Sequence, residues 1–119
     1  MSVGELSSEV RALLKSDGEL IATIAQDIHT KEILMVAWST SDSLAQTIAT
    51  GRATYWSRSR NEIWVKGETS GNLQFVKTIF VDCDGDALVF TVDQIGVACH
   101  TGEKTCFHRE ILLTGIEEK

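Results

Sequence analysis

The stretch Asp82-Cys83-Asp84-Gly85-Asp86 places three carboxylates and a thiol within five residues. It follows Leu73 to Val81, an apolar run that reads as a strand. On an extended chain, residues two apart share a face, so Asp82, Asp84 and Asp86 converge while Cys83 projects the other way. Clustered carboxylates repel one another unless a cation or a proton sits among them. A hard divalent ion with oxygen ligands, most simply Mg²⁺, relieves that repulsion. The spacing is not that of an EF-hand loop. An acidic turn between two strands, with Gly85 supplying a positive φ, fits the same residues.

A second concentration is Cys99-His100-Thr101-Gly102-Glu103-Lys104-Thr105-Cys106, preceded by Gln94-Ile95-Gly96. Six residues between two cysteines is not finger-type spacing, and buried cysteine is often mere packing. A polar, glycine-containing segment is nevertheless a poor place for core thiols. With Cys83 the pair offers three thiolates, and three protein ligands plus an open position is the arrangement of a catalytic zinc. His100, beside Cys99, reads as a fourth ligand, a general acid–base or a loop residue. His29 and His108 read as surface or turn residues.

The third is Tyr55-Trp56-Ser57-Arg58-Ser59-Arg60, followed by Trp64 and Lys66-Gly67-Glu68-Thr69-Ser70-Gly71. Guanidinium forks, hydroxyls and exposed glycine backbone suit a phosphate or ribose. A ring such as Trp56 can stack on a base. An amphipathic hairpin, with Tyr55 and Trp64 inward and the Arg and Ser residues outward, accounts for the same pattern.

The elements that must hold these residues follow from periodicity and turn signals. Ser7 or Ser8 caps a short first helix with Val10, Leu13 and Leu14 on its apolar face and Gly18 ending it. Leu20 to Ala25 and Ile33 to Trp38 read as a strand pair. Thr40 to Thr50 suits a helix, capped by Ser41 or Asp42 and stopped by Gly51. Ala53 to Arg58 and Ile63 to Val65 are strands around a polar turn, and Ala87 to Val92 is another. The tail, Phe107 to Leu113, adds a candidate last strand. The expected fold class is α+β: mostly antiparallel strands with one or two packed helices.

With 119 residues and no repeats, the chain is expected to form one domain spanning 1–119. Its formal net charge of −6 argues against a nucleic-acid partner, which requires a cationic surface. No apolar run reaches the ~20 residues of a membrane span. Met1 to Val10 lacks the pattern of a secretory signal, so a cytoplasmic location is expected. Three cysteines cannot all pair within the chain, and in a reducing compartment metal binding is the more natural use.

Taken together, the three concentrations resemble the phosphoribosyl-AMP cyclohydrolase family of histidine biosynthesis. The resemblance rests on Gly51 to Arg60, Trp64 to Asn72, Asp82 to Asp86, Gln94-Ile95-Gly96, Ala98 to Gly102 and Cys106-Phe107. It runs from about Ile33 to Arg109 and implies a homodimer whose active site forms at the subunit interface. Asp82, Asp84 and Asp86 match the family's magnesium ligands. Cys83, Cys99 and Cys106 match its zinc ligands, with Cys83 of the partner subunit joining the other two. The implied reaction cleaves the N1–C6 bond of the adenine ring of phosphoribosyl-AMP with a zinc-activated water. His100 would carry the proton. Trp56, Ser57, Arg58, Ser59, Arg60, Lys66 and Ser70 would contact the substrate. The family usually has Met-Asn where this chain has Ser39-Thr40, which implies altered packing at the start of the helix. With no pyrophosphohydrolase domain alongside, one step rather than two is expected. A non-catalytic zinc module would explain the cysteines but not the carboxylates or the Ser-Arg-Ser-Arg run. A thiol redox protein would lack the usual Cys-x-x-Cys.

Overall fold

The computed structural model describes residues 4–15 and 19–117. The elements are α1 (Ser8–Leu13), β1 (Ile21–Asp27), β2 (Ile33–Ser39), α2 (Ser41–Thr50), β3 (Thr54–Ser57), β4 (Glu62–Val65), β5 (Gln74–Val81) and β6 (Ala87–Gln94). The six strands form one sheet in the order β4-β3-β2-β1-β6-β5. Every neighbouring pair is antiparallel except β1 and β6, which run parallel. The long connection from β1 to β6 returns the chain to the middle of the sheet, placing β6 between β1 and β5. The α+β expectation therefore holds, with one parallel pair at its centre.

Alternation in β1 shows how the core is built. Ile21, Thr23, Ala25 and Asp27 are buried, and the residues between them are only half-buried. Their partners Leu88, Phe90 and Val92 join them on the buried face. Tyr55 completes this layer, stacked on Phe90 at 5.7 Å and tilted against Trp64 at 5.3 Å. Leu44 and Ala45 of α2 are buried in the same core. Between α1, α2 and the β5–β6 pair lies a small apolar cavity of about 130 Å³, lined by Val10, Leu14, Leu44 and Ile79 among others.

The helix ends differ slightly from expectation. Thr40, not Ser41 or Asp42, caps α2: its hydroxyl accepts from the Ser43 N–H, and the Ser43 hydroxyl accepts from the Thr40 N–H. Asn and Thr are both good N-caps, so Thr40 in place of the family's Asn keeps the helix start. Ser39 is fully buried, its Oγ 2.7 Å from Thr23 Oγ1, so the polar atom has a partner. Gly51 ends α2 in the left-handed region, as expected. Ser7 caps α1; the proposed stop at Gly18 lies outside the described residues. The tail from Phe107 to Leu113 forms no strand. Its apolar residues stand largely exposed, Leu113 completely so, and pair with neither edge strand of the sheet. No helix among the described residues is long and apolar enough to cross a membrane.

Candidate active site

The three aspartates converge, but by a turn rather than by strand alternation. β5 ends at Val81, and the chain reverses through Cys83-Asp84-Gly85 before β6 begins. The Asp82 carboxylate closes the turn, accepting from the N–H groups of Asp86 (3.0 Å) and Ala87 (3.3 Å). Gly85 has φ +75°, and a Cβ there would lie 2.3 Å from the Leu13 carbonyl oxygen. Only glycine lets this turn dock on the end of α1, where the Lys15 N–H donates to the Gly85 carbonyl. Carboxylate oxygens of Asp82, Asp84 and Asp86 come within 4.8 Å of one another, all exposed. Asp82 and Asp86 feel each other directly. Contact with the Asp82 carboxylate pushes Asp86 up. Asp82 loses some hydration, but the surrounding N–H groups and Asp86 outweigh that and hold it below the usual range. Oxygen donors at this spacing could hold a hard divalent cation.

The second cluster lies on the loop after β6. Gly96 starts it at φ +71°, with no room for a Cβ beside the Asn72 side chain. The loop then folds on itself: Ala98 N–H donates to the Lys104 carbonyl and Cys99 N–H to that of Glu103. It is tied to β2 by Cys106 N–H on the Leu34 carbonyl (2.7 Å) and by the Thr105 hydroxyl on the Ile33 carbonyl (2.6 Å). Lys104 Nζ bridges Glu32 (2.6 Å) and the buried Asp27 (3.6 Å). Lys66 Nζ donates to the Ala98 carbonyl at 2.6 Å.

This folding brings Cys99 and Cys106 into contact with each other. The Cys99 thiol is lowered to about 7, first by the Thr101 hydroxyl 3.0 Å away and the Thr101 N–H. His108, with Nε2 at 4.0 Å, and Cys106 add to that shift against the cost of desolvation. Burial and the neighbouring Cys99 push Cys106 the other way. One acidic thiol beside a second is a good start for a soft-metal site, in which thiolates are the ligands.

Cys83 does not join them within one chain. The register Val81↔Leu88, Leu88↔Thr23 and Thr23↔Ala37 places it beyond the far end of the sheet from Leu34 and Cys106. Three strand spacings and several residues of rise separate the two, on the order of 20 Å. Its sulfur lies 3.9 Å from Asp84 Oδ1 instead.

The basic residues divide between two clefts on the β3–β4 hairpin. One, about 330 Å³, is lined by Trp38, Trp56, Ser57, Arg58 and Ser59. There the Arg58 guanidinium sits 4.6 Å above the Trp38 ring, a partner that sequence reading did not single out. The other, about 360 Å³, is lined by Arg60, Lys66 and Ser70 among others. Arg60 Nε lies 3.6 Å from Glu62. His100 is exposed in the turn next to Cys99, while His108, read from sequence as a surface residue, is the imidazole that reaches the thiol. His29 stays on the surface, 3.4 Å from Asp93.

A sequence model of phosphoribosyl-AMP cyclohydrolases matches residues 35–108. A phosphoribosyl-AMP cyclohydrolase of Micrococcus luteus is 52% identical over 114 residues, covering 95% of this chain and 90% of its own length. The chain belongs to the phosphoribosyl-AMP cyclohydrolase family. The cyclohydrolase of Streptomyces avermitilis is 50% identical across 91% of this chain and 82% of its own. That of Acidothermus cellulolyticus is 54% identical across 86% and 72%. The family match takes in both metal-type clusters and the Arg58 cleft.

Proposed function

We infer that this chain hydrolyses phosphoribosyl-AMP, opening its adenine ring at N1–C6 in a step of histidine biosynthesis. The observation that carries this reading is the family match over residues 35–108, which contains the thiol loop, the aspartate turn and the hairpin clefts together. Cys99 and Cys106, with Cys83 of the partner subunit, would hold zinc, and Asp82, Asp84 and Asp86 would hold magnesium. Bound there, zinc supplies the acidity that lets a water attack near neutral pH. His100 takes the proton of the attacking water and returns it to N1 as the C6–N1 bond breaks. Trp56 and Trp38 offer faces for the base. Ser57, Arg58 and Ser59 on one side of the hairpin, and Arg60, Lys66 and Ser70 on the other, give two separated sites for a substrate that bears two phosphates.

Two observations support a homodimer. The first is the distance of Cys83 from the other thiols of its own chain. The second is an open apolar sheet face: Phe80, Val89, Ile24 and Val36 align across four strands, beside a row of Ala87, Ala22, Trp38 and Trp56. Phe80 and Val36 are more than half exposed, unusual for aligned apolar residues on a sheet. A second copy laid on this face would bury it. The single domain so formed is read as a cytoplasmic enzyme.

The deciding experiment follows ultraviolet absorbance when the purified chain meets phosphoribosyl-AMP with zinc and magnesium. The purine spectrum should give way to that of an imidazole carboxamide, a change abolished by a strong chelator and restored by zinc. No spectral change with the zinc-loaded protein would sink the reading.

A further inference from the structure

Lys66 follows directly on β4, its backbone N–H fixed on the Ala53 carbonyl at 3.0 Å. Its side chain is half-buried and runs past Trp64, with Nζ 5.9 Å from the ring centroid. Nζ then donates to the Ala98 carbonyl, 32 residues further along the chain. Among the described residues, Lys66 has no carboxylate within ion-pair distance. A half-buried cation without a counter-charge is costly, and the structure does not waste the position on apolar packing alone. The thiol pair begins one residue after Ala98, and the Lys66 ammonium acts electrostatically on Cys106.

We propose that Lys66 is a positioning residue of the thiol site: by holding the Ala98 carbonyl, it sets Cys99 for metal. The inference rests on the zinc reading above. The Ala98 carbonyl and the Cys99 N–H belong to one peptide plane, and that plane is held at both ends. Lys66 grips the oxygen at 2.6 Å, and Glu103 accepts from the N–H at 3.1 Å. With the plane fixed, the Cys99 Cα is held in place, and only rotation about its N–Cα and Cα–Cβ bonds is left to aim the thiol. The ammonium also contributes positive charge where three thiolates around a dication would leave an excess of one negative charge. Lys66 thereby serves the loop as well as the Arg60–Ser70 cleft that it lines. Outer partners of this kind typically govern metal affinity by about 10–100-fold.

The test measures zinc affinity of the full-length protein by competition with a chromogenic chelator, alongside KM and kcat. Lys66→Met keeps the stem over Trp64 and removes the donor. Lys66→Gln repeats the removal with a polar side chain too short to reach the carbonyl, so that misfolding of one variant does not decide the matter. Zinc affinity should fall at least about tenfold in each, whatever change in KM the loss of a substrate contact brings. Lys66→Arg, which keeps donor and charge, should recover most of the loss. Unchanged zinc affinity in the folded Met or Gln variant overturns the proposal, and a rise in KM beside it would leave Lys66 a substrate contact only. Wild-type protein that takes no zinc from the chelator overturns the zinc reading itself, and this inference with it.

Discussion

Cys99 and Cys106 are the same residue type seven positions apart, yet their surroundings drive them in opposite directions. Hydrogen bonds from Thr101 stabilise the Cys99 thiolate, whereas burial and the adjacent charge disfavour that of Cys106. In metal-free protein, site-resolved mass spectrometry of iodoacetamide labelling should show Cys99 titrating with a midpoint of about 7 and Cys106 clearly higher. Identical midpoints would mean that the loop does not hold the Thr101 contact in solution. His100 and His108 are both exposed near this thiol, and it is His108 whose Nε2 comes within 4.0 Å of it. If His100 is the proton carrier, His100→Asn should lower kcat by about 10²–10⁴ with zinc content unchanged. Near-normal turnover across pH would remove that role. The residue types of the candidate site were legible because they sit in short local runs. The contact of Trp38 with Arg58 was not, since it joins separate elements, and that of His108 with Cys99 was not, since it depends on how an irregular loop folds back on itself.

The elements were largely legible because hydrophobic alternation and glycine stops are local signals. The strand pair, α2 and the hairpin all lie within a few residues of expectation. Where three successive residues could each cap a helix, sequence could not choose Thr40 over Ser41 or Asp42. An apolar run in the tail could not announce that it would stay off the sheet. The turn between β1 and β2 shows what an element contributes to the site. Asp27 loses hydration on burial, which pushes its pKa up. The N–H groups of His29 and Thr30, together with Lys104, outweigh that cost and hold it below the usual range. The folded chain thus binds fewer protons here than the unfolded chain. The resulting stability is present above the ordinary aspartate value of about 3.9 and fades as pH falls through the lower folded value. Asp27→Asn should cost roughly 1–3 kcal/mol near neutral pH and flatten the decline in melting temperature at acid pH. An equal acid-induced decline in both proteins would assign that decline to other carboxylates. Because Lys104 leads from this turn into the Cys99–Cys106 loop, the variant also tests how firmly the loop is anchored.

At the scale of the whole molecule, strand order separates what the sequence set side by side. Cys83 reads as a third thiol for the pair, yet the order β4-β3-β2-β1-β6-β5 carries it to the opposite end of the sheet. No local pattern could reveal this, since it follows from the parallel return of β6 beside β1. On the proposed dimer, a lone chain would hold two halves of different sites. In a two-fold dimer each interface would be used twice, so the Cys83 of one subunit could complete the thiol loop of the other. Subunit mixing distinguishes this from three thiols acting separately. Cys83→Ser and Cys99→Ser should each be inactive alone. In a mixed dimer, the subunit with Cys83→Ser keeps its own Cys99 and Cys106 and receives an intact Cys83 from its partner. The other site lacks both Cys83 and Cys99. Unfolding and refolding the two variants together at equal concentration should recover about a quarter of wild-type activity: half the dimers are mixed, and half of their sites are whole. No recovery, with exchange verified by differently tagged subunits, would place the complete site within one chain. It would then require a rearrangement of the β5–β6 turn that brings Cys83 across the sheet.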